Sequence, residues 1–84
     1  MTWFWDKVTY SFGDRLEIHL KSGQTYQGDV SNVQPEGSVM LEGCEMLYRH
    51  RPRARTVSRV AVSGHRVFAL HEISSLKRAH RASR

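Results

Sequence analysis

From Leu16 onward the chain alternates. Leu16, Ile18 and Leu20 are apolar and Glu17, His19 and Lys21 are polar, the period-two pattern of a half-buried strand over about 15–21. "KSGQ" follows, with Gly23 able to take the positive φ that a tight turn requires. A second strand is expected over about 25–33, with Tyr26, Gly28 and Val30 on one face and Gln27 and Asp29 on the other. Gly28 stands where a side chain would pack, and a glycine in mid-strand marks a sharp bend such as a barrel corner. "NVQPEGS" reads as a turn punctuated by Pro35 and Gly37. The third strand, about 38–48, changes phase from Val39 and Leu41 to Cys44, Met46 and Tyr48, so a bulge is expected near Gly43. A fourth strand follows over 56–63, "SGHR" turns the chain, and a fifth covers 66–73. Short strands with closely spaced turn signals point to a small all-β barrel or sandwich.

The two ends read differently. "TWFWDKVTYSF" suits a helix over about 3–12, with Thr2 as N-cap, Asp6 in the first turn, and Phe4, Val8 and Phe12 at helical spacing. A strand from Val8 through Tyr10 to Phe12 is the alternative, and the helix is preferred. Trp3, Phe4 and Trp5 carry enough apolar area that at least two should pack on the barrel or on a neighbouring subunit. Residues 74–84, "SSLKRAHRASR", read as a basic tail or a short helix capped by Ser74. The expected organisation is therefore one barrel domain over 1–73 and a basic C-terminal segment over 74–84.

At 84 residues the chain lies near the size at which one core can stabilise a fold unaided. The single cysteine, Cys44, allows no internal disulfide and too few thiolates for a cysteine-based zinc site. A tight barrel core, or burial against further copies of the chain, must supply the stability. The longest apolar run is Val67–Leu70, far too short to span a membrane, and no charged-then-apolar leader opens the chain. A cytoplasmic setting is expected.

Charge narrows the function. Residues 1–47 hold three basic side chains against seven acids, whereas residues 48–84 hold ten against one, Glu72. Ten of the thirteen basic residues are arginine, whose planar fork fits phosphate and stacks on bases. "YRHRPRARTVSR", Tyr48 to Arg59, concentrates five arginines without an acid. Such asymmetry points to a polyanionic partner, nucleic acid first and an anionic membrane or acidic protein second. Catalytic chemistry does not assemble. "GQTYQG" lacks the lysine and hydroxyl residue of a phosphate loop. The five histidines form no i, i+4 pair flanking a carboxylate, and Cys44 in a strand is core filler. No enzyme activity, cofactor or metal is expected.

The spacing of glycines and apolar residues in "GDRLEIHLKSGQTYQGDV" resembles the first motif of the Sm-like (LSm) proteins, through Gly13, Leu16, Ile18, Leu20, Lys21, Gly23, Tyr26, Gly28 and Val30. "RVAVSGHRVFAL" resembles the second, through Val62, Gly64 and Val67, and the resemblance covers roughly residues 3–73. It implies a short N-terminal helix and a strongly bent, five-stranded antiparallel SH3-like small barrel. It also implies that the fourth strand of one subunit pairs with the fifth of the next, closing a ring of about five to eight copies. Ring closure would satisfy backbone groups that an open barrel leaves at its edges.

The resemblance further implies a uridine pocket around the pore. Here that pocket is degenerate: Gln34 stands for its aspartate, Gly37 for its stacking residue, Ser38 for its asparagine and Ser63 for its arginine, while Gly64 matches. Gln34 retains an amide that can read a base edge, and His65 or Arg66 can stack or contact phosphate from the same turn. The arginine-rich stretch falls in the family's variable loop between the third and fourth strands. Arg49, Arg51, Arg53, Arg55 and Arg59, repeated around a ring, would form a dense positive crown, with Tyr48 and His50 as stacking groups. The expected function is an RNA chaperone or scaffold that grips single-stranded RNA, or single-stranded DNA, by its backbone with little sequence selectivity. The alternative is an Sm-like barrel acting as a protein interaction or assembly module without RNA recognition.

Overall fold

A computed structural model describes residues 2–5, 8–48, 57–62 and 64–79. These residues form eight strands: β1 (Thr2–Trp5), β2 (Val8–Ser11), β3 (Arg15–Leu20), β4 (Thr25–Val33), β5 (Val39–Tyr48), β6 (Ser58–Ala61), β7 (Arg66–Phe68) and β8 (Ile73–Arg78). A single 3₁₀ turn, Leu70–Glu72, joins β7 to β8. The main sheet is antiparallel in the order β6-β5-β4-β3-β8, with β7 also paired to β5. The all-β expectation holds.

The inner face follows from the alternation. Leu16, Ile18 and Leu20 of β3 meet Tyr26 and Val30 of β4, Val39, Leu41 and Cys44 of β5, Phe68 of β7, and Ile73 and Leu76 of β8. All are buried, and each such side chain withdrawn from water contributes about 1.5–3 kcal/mol. Gly23 takes φ 99° in the β3–β4 turn, where its N–H donates to the Leu20 carbonyl at 2.9 Å. Gly28 serves a different purpose. A Cβ there would lie 2.9 Å from Leu41 Cβ and 3.1 Å from the Glu42 carbonyl oxygen. Only a bare backbone lets β5 approach this closely. The bulge expected near Gly43 is present: Gln27 pairs with Glu45 but Asp29 with Glu42, so two residues of β5 oppose Gly28 alone.

Three expectations are overturned. Residues 3–12 are not a helix; within that span β1 and β2 form an antiparallel ribbon, with Trp3 opposite Tyr10 and Trp5 opposite Val8. The helical spacing of Phe4 and Phe12 would have buried both, yet they are 69% and 55% exposed. The period-two set Trp3, Trp5 and Tyr10 finds the core instead, with the Trp3 and Tyr10 rings stacked at 6.1 Å. Aromatic and β-branched residues dominate this segment and favour the pleated form.

Secondly, the chain does not reverse around Gly64. β6 and β7 both run antiparallel to β5 along one edge, with Ala61 opposite Glu45 and Arg66 opposite Leu41. The reversal falls later, at Leu70–Glu72, where the Glu72 side chain accepts the Ala69 N–H at 3.1 Å.

Thirdly, the segment from residue 74 does not begin as a tail or helix. Ile73–Arg78 is a strand paired with β3, closing the far side of the sheet. Ile73 and Leu76 are three apart, a helical spacing, but the register slips by one at Ser74. That slip turns both side chains inward. Residues 80–84 lie outside the described residues.

Candidate nucleic-acid interface

The outward side chains of the sheet form a polar belt. The Lys77 ammonium lies 3.5 Å from Glu17 Oε2, and Glu17 Oε1 accepts from the Gln27 amide at 2.8 Å. Gln27 Oε1 in turn accepts from Arg59 Nη1 at 3.1 Å, and the same nitrogen donates to Glu45 Oε1 at 3.2 Å. Arg15 completes the row, donating to Glu45 at 2.9 Å and reaching Asp29 at 3.5 Å. Cross-strand register brings these groups together, because Glu17 pairs with Lys77 and Gln27, and Gln27 with Glu45. Partly exposed pairs of this kind contribute about 0–1 kcal/mol each. Their functional consequence is larger: Arg15, Arg59 and Lys77 already have anionic partners within the chain.

Glu17 anchors the belt. Burial pushes its carboxyl up, but hydrogen bonds from Gln27 and His19, with the Lys77 charge, outweigh burial and hold it below its ordinary 4.5. A carboxyl lowered on folding stabilises the native state above that ordinary value, and the contribution is lost as pH falls through the lowered one. Glu17→Gln should therefore destabilise the protein more at pH 7 than at pH 3. Urea midpoints at both pH values check this. An equal gap at the two would remove the ionised carboxylate from the account.

The predicted site residues separate into groups. Arg49, His50, Arg51, Arg53 and Arg55, together with Ser63, lie outside the described residues. Tyr48 ends β5, 41% exposed and paired in register with Ser58. Arg59 stands on β6 and belongs to the belt. Arg66 is not a free phosphate contact: its guanidinium lies 4.8 Å from the Tyr26 ring centroid and 5.0 Å from that of Phe68. This cation–π contact spends the side chain on the core margin. His65 is exposed, 3.6 Å from Glu42.

The described residues of the degenerate pocket stand on two segments, the β4–β5 turn and the link between β6 and β7. Gln34 and Ser38 close the β4–β5 turn, where the Gln34 N–H donates to the Ser38 carbonyl at 2.8 Å. Ser38 is buried, its hydroxyl donating to Glu36 at 3.1 Å. Gly64 lies between β6 and β7, two residues before Arg66, which pairs with Leu41 of β5. A neighbour of the turn is Leu70, whose Cδ1 would meet a Cβ on Gly37 at 2.6 Å. Reading "SGHR" as the chain reversal hid this contact. The buried partners of "VFALHEI", Phe68 and Ile73, were the available signal for a later turn.

A second feature escaped the sequence. An open groove of about 590 Å³ lies at the end of the β3–β4 hairpin, lined by Glu17, His19, Thr25, Leu47, Tyr48 and Val57 among others. His19 Nε2 hydrogen-bonds with Glu17 Oε2 at 2.7 Å, and Nδ1 with the Thr25 hydroxyl at 3.3 Å. Elsewhere the chemistry is quiet. Burial pushes the Cys44 thiol up, which keeps it protonated and unreactive. Among the described residues no group of three metal-ligating side chains converges, and no helix is long and apolar enough to cross a membrane.

Set beside known proteins, the chain matches no protein-family model and no curated protein.

Proposed function

We propose that this chain is an Sm-like barrel that assembles into rings in the cytoplasm and holds single-stranded RNA, or single-stranded DNA, by its phosphates as a chaperone or scaffold. The β5–β6 hairpin carries the reading. Its register joins Tyr48 to Ser58, so both ends of a segment with four arginines and no acid stand at one end of the barrel. Inside the described chain Arg15, Arg59 and Arg66 are engaged by Glu45, Gln27, Asp29 or aromatic rings, and Arg78 of β8 is a single exposed arginine against the four of the hairpin segment. The hairpin segment is thereby the cationic feature best suited to an external polyanion.

Assembly is supported by the sheet edges. Among the described residues β6–β7 and β8 each have a partner strand on one side only. Val60 and Val67, on the first of these edges, are 44% and 45% exposed. An edge of this kind accepts a strand from another copy, and repeated head-to-tail pairing that closes yields a ring. Association into a closed ring would multiply the arginine segments on one rim.

Mass in solution and binding of a labelled oligouridylate, titrated against salt, test both parts. A closed oligomer is expected, with affinity that falls steeply as salt rises from about 50 to 200 mM. A monomer sinks the ring. A closed oligomer without strand binding at low salt supports the other reading, an assembly module, which the altered Gln34–Ser38 turn and the exposed Phe4 favour.

A further inference from the structure

The groove at the end of the β3–β4 hairpin has a composition that the backbone-gripping reading does not use. Leu47, Tyr48 and Val57 supply apolar surface, and Glu17, His19 and Thr25 supply polar surface. The His19 ring is held at both nitrogens, by Glu17 and Thr25, while 40% of its side chain remains exposed. A flat ring fixed in advance loses little freedom when a ligand arrives. The Glu17 carboxylate is met by Gln27, His19 and Lys77, so its repulsion of an anion is largely offset.

We infer that this groove takes one unstacked nucleobase of a bound single strand. The inference rests on the proposed function and gives it a base-contacting site. Its volume lies in the range of small-molecule sites. Aromatic and imidazole rings beside an aliphatic side chain suit the π face of a base, and the Thr25 hydroxyl suits a base edge. Position supplies the choice of occupant. Tyr48 and Val57 line the groove, and the chain between them carries four arginines. A base in the groove would leave its own phosphates beside the residues that flank this charge.

The test compares a short oligoadenylate with its abasic counterpart by fluorescence anisotropy. The parent should prefer the strand with bases by about tenfold, the worth of one stacked base. Tyr48→Ala and His19→Ala, each checked for folding by circular dichroism, should bring that ratio near one and leave abasic binding unchanged. Uncharged adenosine should also shift the NMR signals of His19 and Leu47, in the parent and in a variant lacking Arg49, Arg51, Arg53 and Arg55. A ratio that survives both substitutions, or signals that adenosine leaves unmoved, overturns the groove even where strand binding is intact. Failure of the parent to bind either strand, with the adenosine shifts present, upholds the groove and sinks the arginine reading instead.

Discussion

Replacing Arg49, Arg51, Arg53 and Arg55 together by serine is expected to lower affinity for single-stranded RNA on the order of 10²-fold at about 0.15 M salt. Each phosphate neutralised on a single strand contributes roughly 0.7 to the slope of log affinity against log salt. Four lost contacts remove about three units of slope, and extrapolation from a 1 M reference gives the stated loss. Two changes should appear together, a weaker complex and a flatter salt dependence. Arg59 is deliberately kept. Its guanidinium satisfies Gln27 and Glu45, and removing it would disturb the belt as well as the charge. Isothermal titration or anisotropy at four salt concentrations reads both quantities. Affinity and slope equal to those of the parent would rule the segment out as the phosphate contact.

Phe68→Ala is the second large effect, and it concerns the fold that presents the segment. Phe68 is fully buried on β7, its ring 5.2 Å from that of Tyr26 and its face beneath the Arg66 guanidinium. Truncation removes the apolar burial, leaves a cavity and breaks both ring contacts. Losses of this kind cost about 3–5 kcal/mol. At the usual 0.05–0.15 kcal/mol per residue the whole domain holds only about 4–13 kcal/mol, so the variant should lose from about a quarter to all of its stability. Phe68→Leu, which keeps most of the volume, should lose much less. Urea midpoints for the pair decide the matter. A truncation costing under about 1 kcal/mol would mean that β7 does not seal the core.

The two effects meet in the long edge formed by β6 and β7. Phe68 pins the far end of that edge to the core, and the pairing of Tyr48 with Ser58 pins the near end. Between them Val62 N–H still donates to the Cys44 carbonyl at 2.9 Å. The edge is therefore held at both ends, with no further strand paired to its outer side among the described residues.

The amino-acid sequence by itself determined β3, β4 and β5, together with the turn at Gly23, the bend at Gly28 and the bulge at Gly43. Those features are local: an alternation of period two, and glycines at points that tolerate no side chain or favour positive φ. The charge asymmetry was equally legible, because it needs no geometry. Three-dimensional packing decided the rest. Residues 3–12 satisfy a helical and a pleated pattern at once, and the ribbon prevails because Trp3, Trp5 and Tyr10 reach the core together. The spacing of Ile73 and Leu76 suggests a helix until a slip at Ser74 points both inward. The belt that occupies Arg15, Arg59 and Lys77, and the groove around His19, draw on residues up to sixty positions apart. Cross-strand register creates such contacts, and register is set by the whole sheet packing around its core rather than by any one segment.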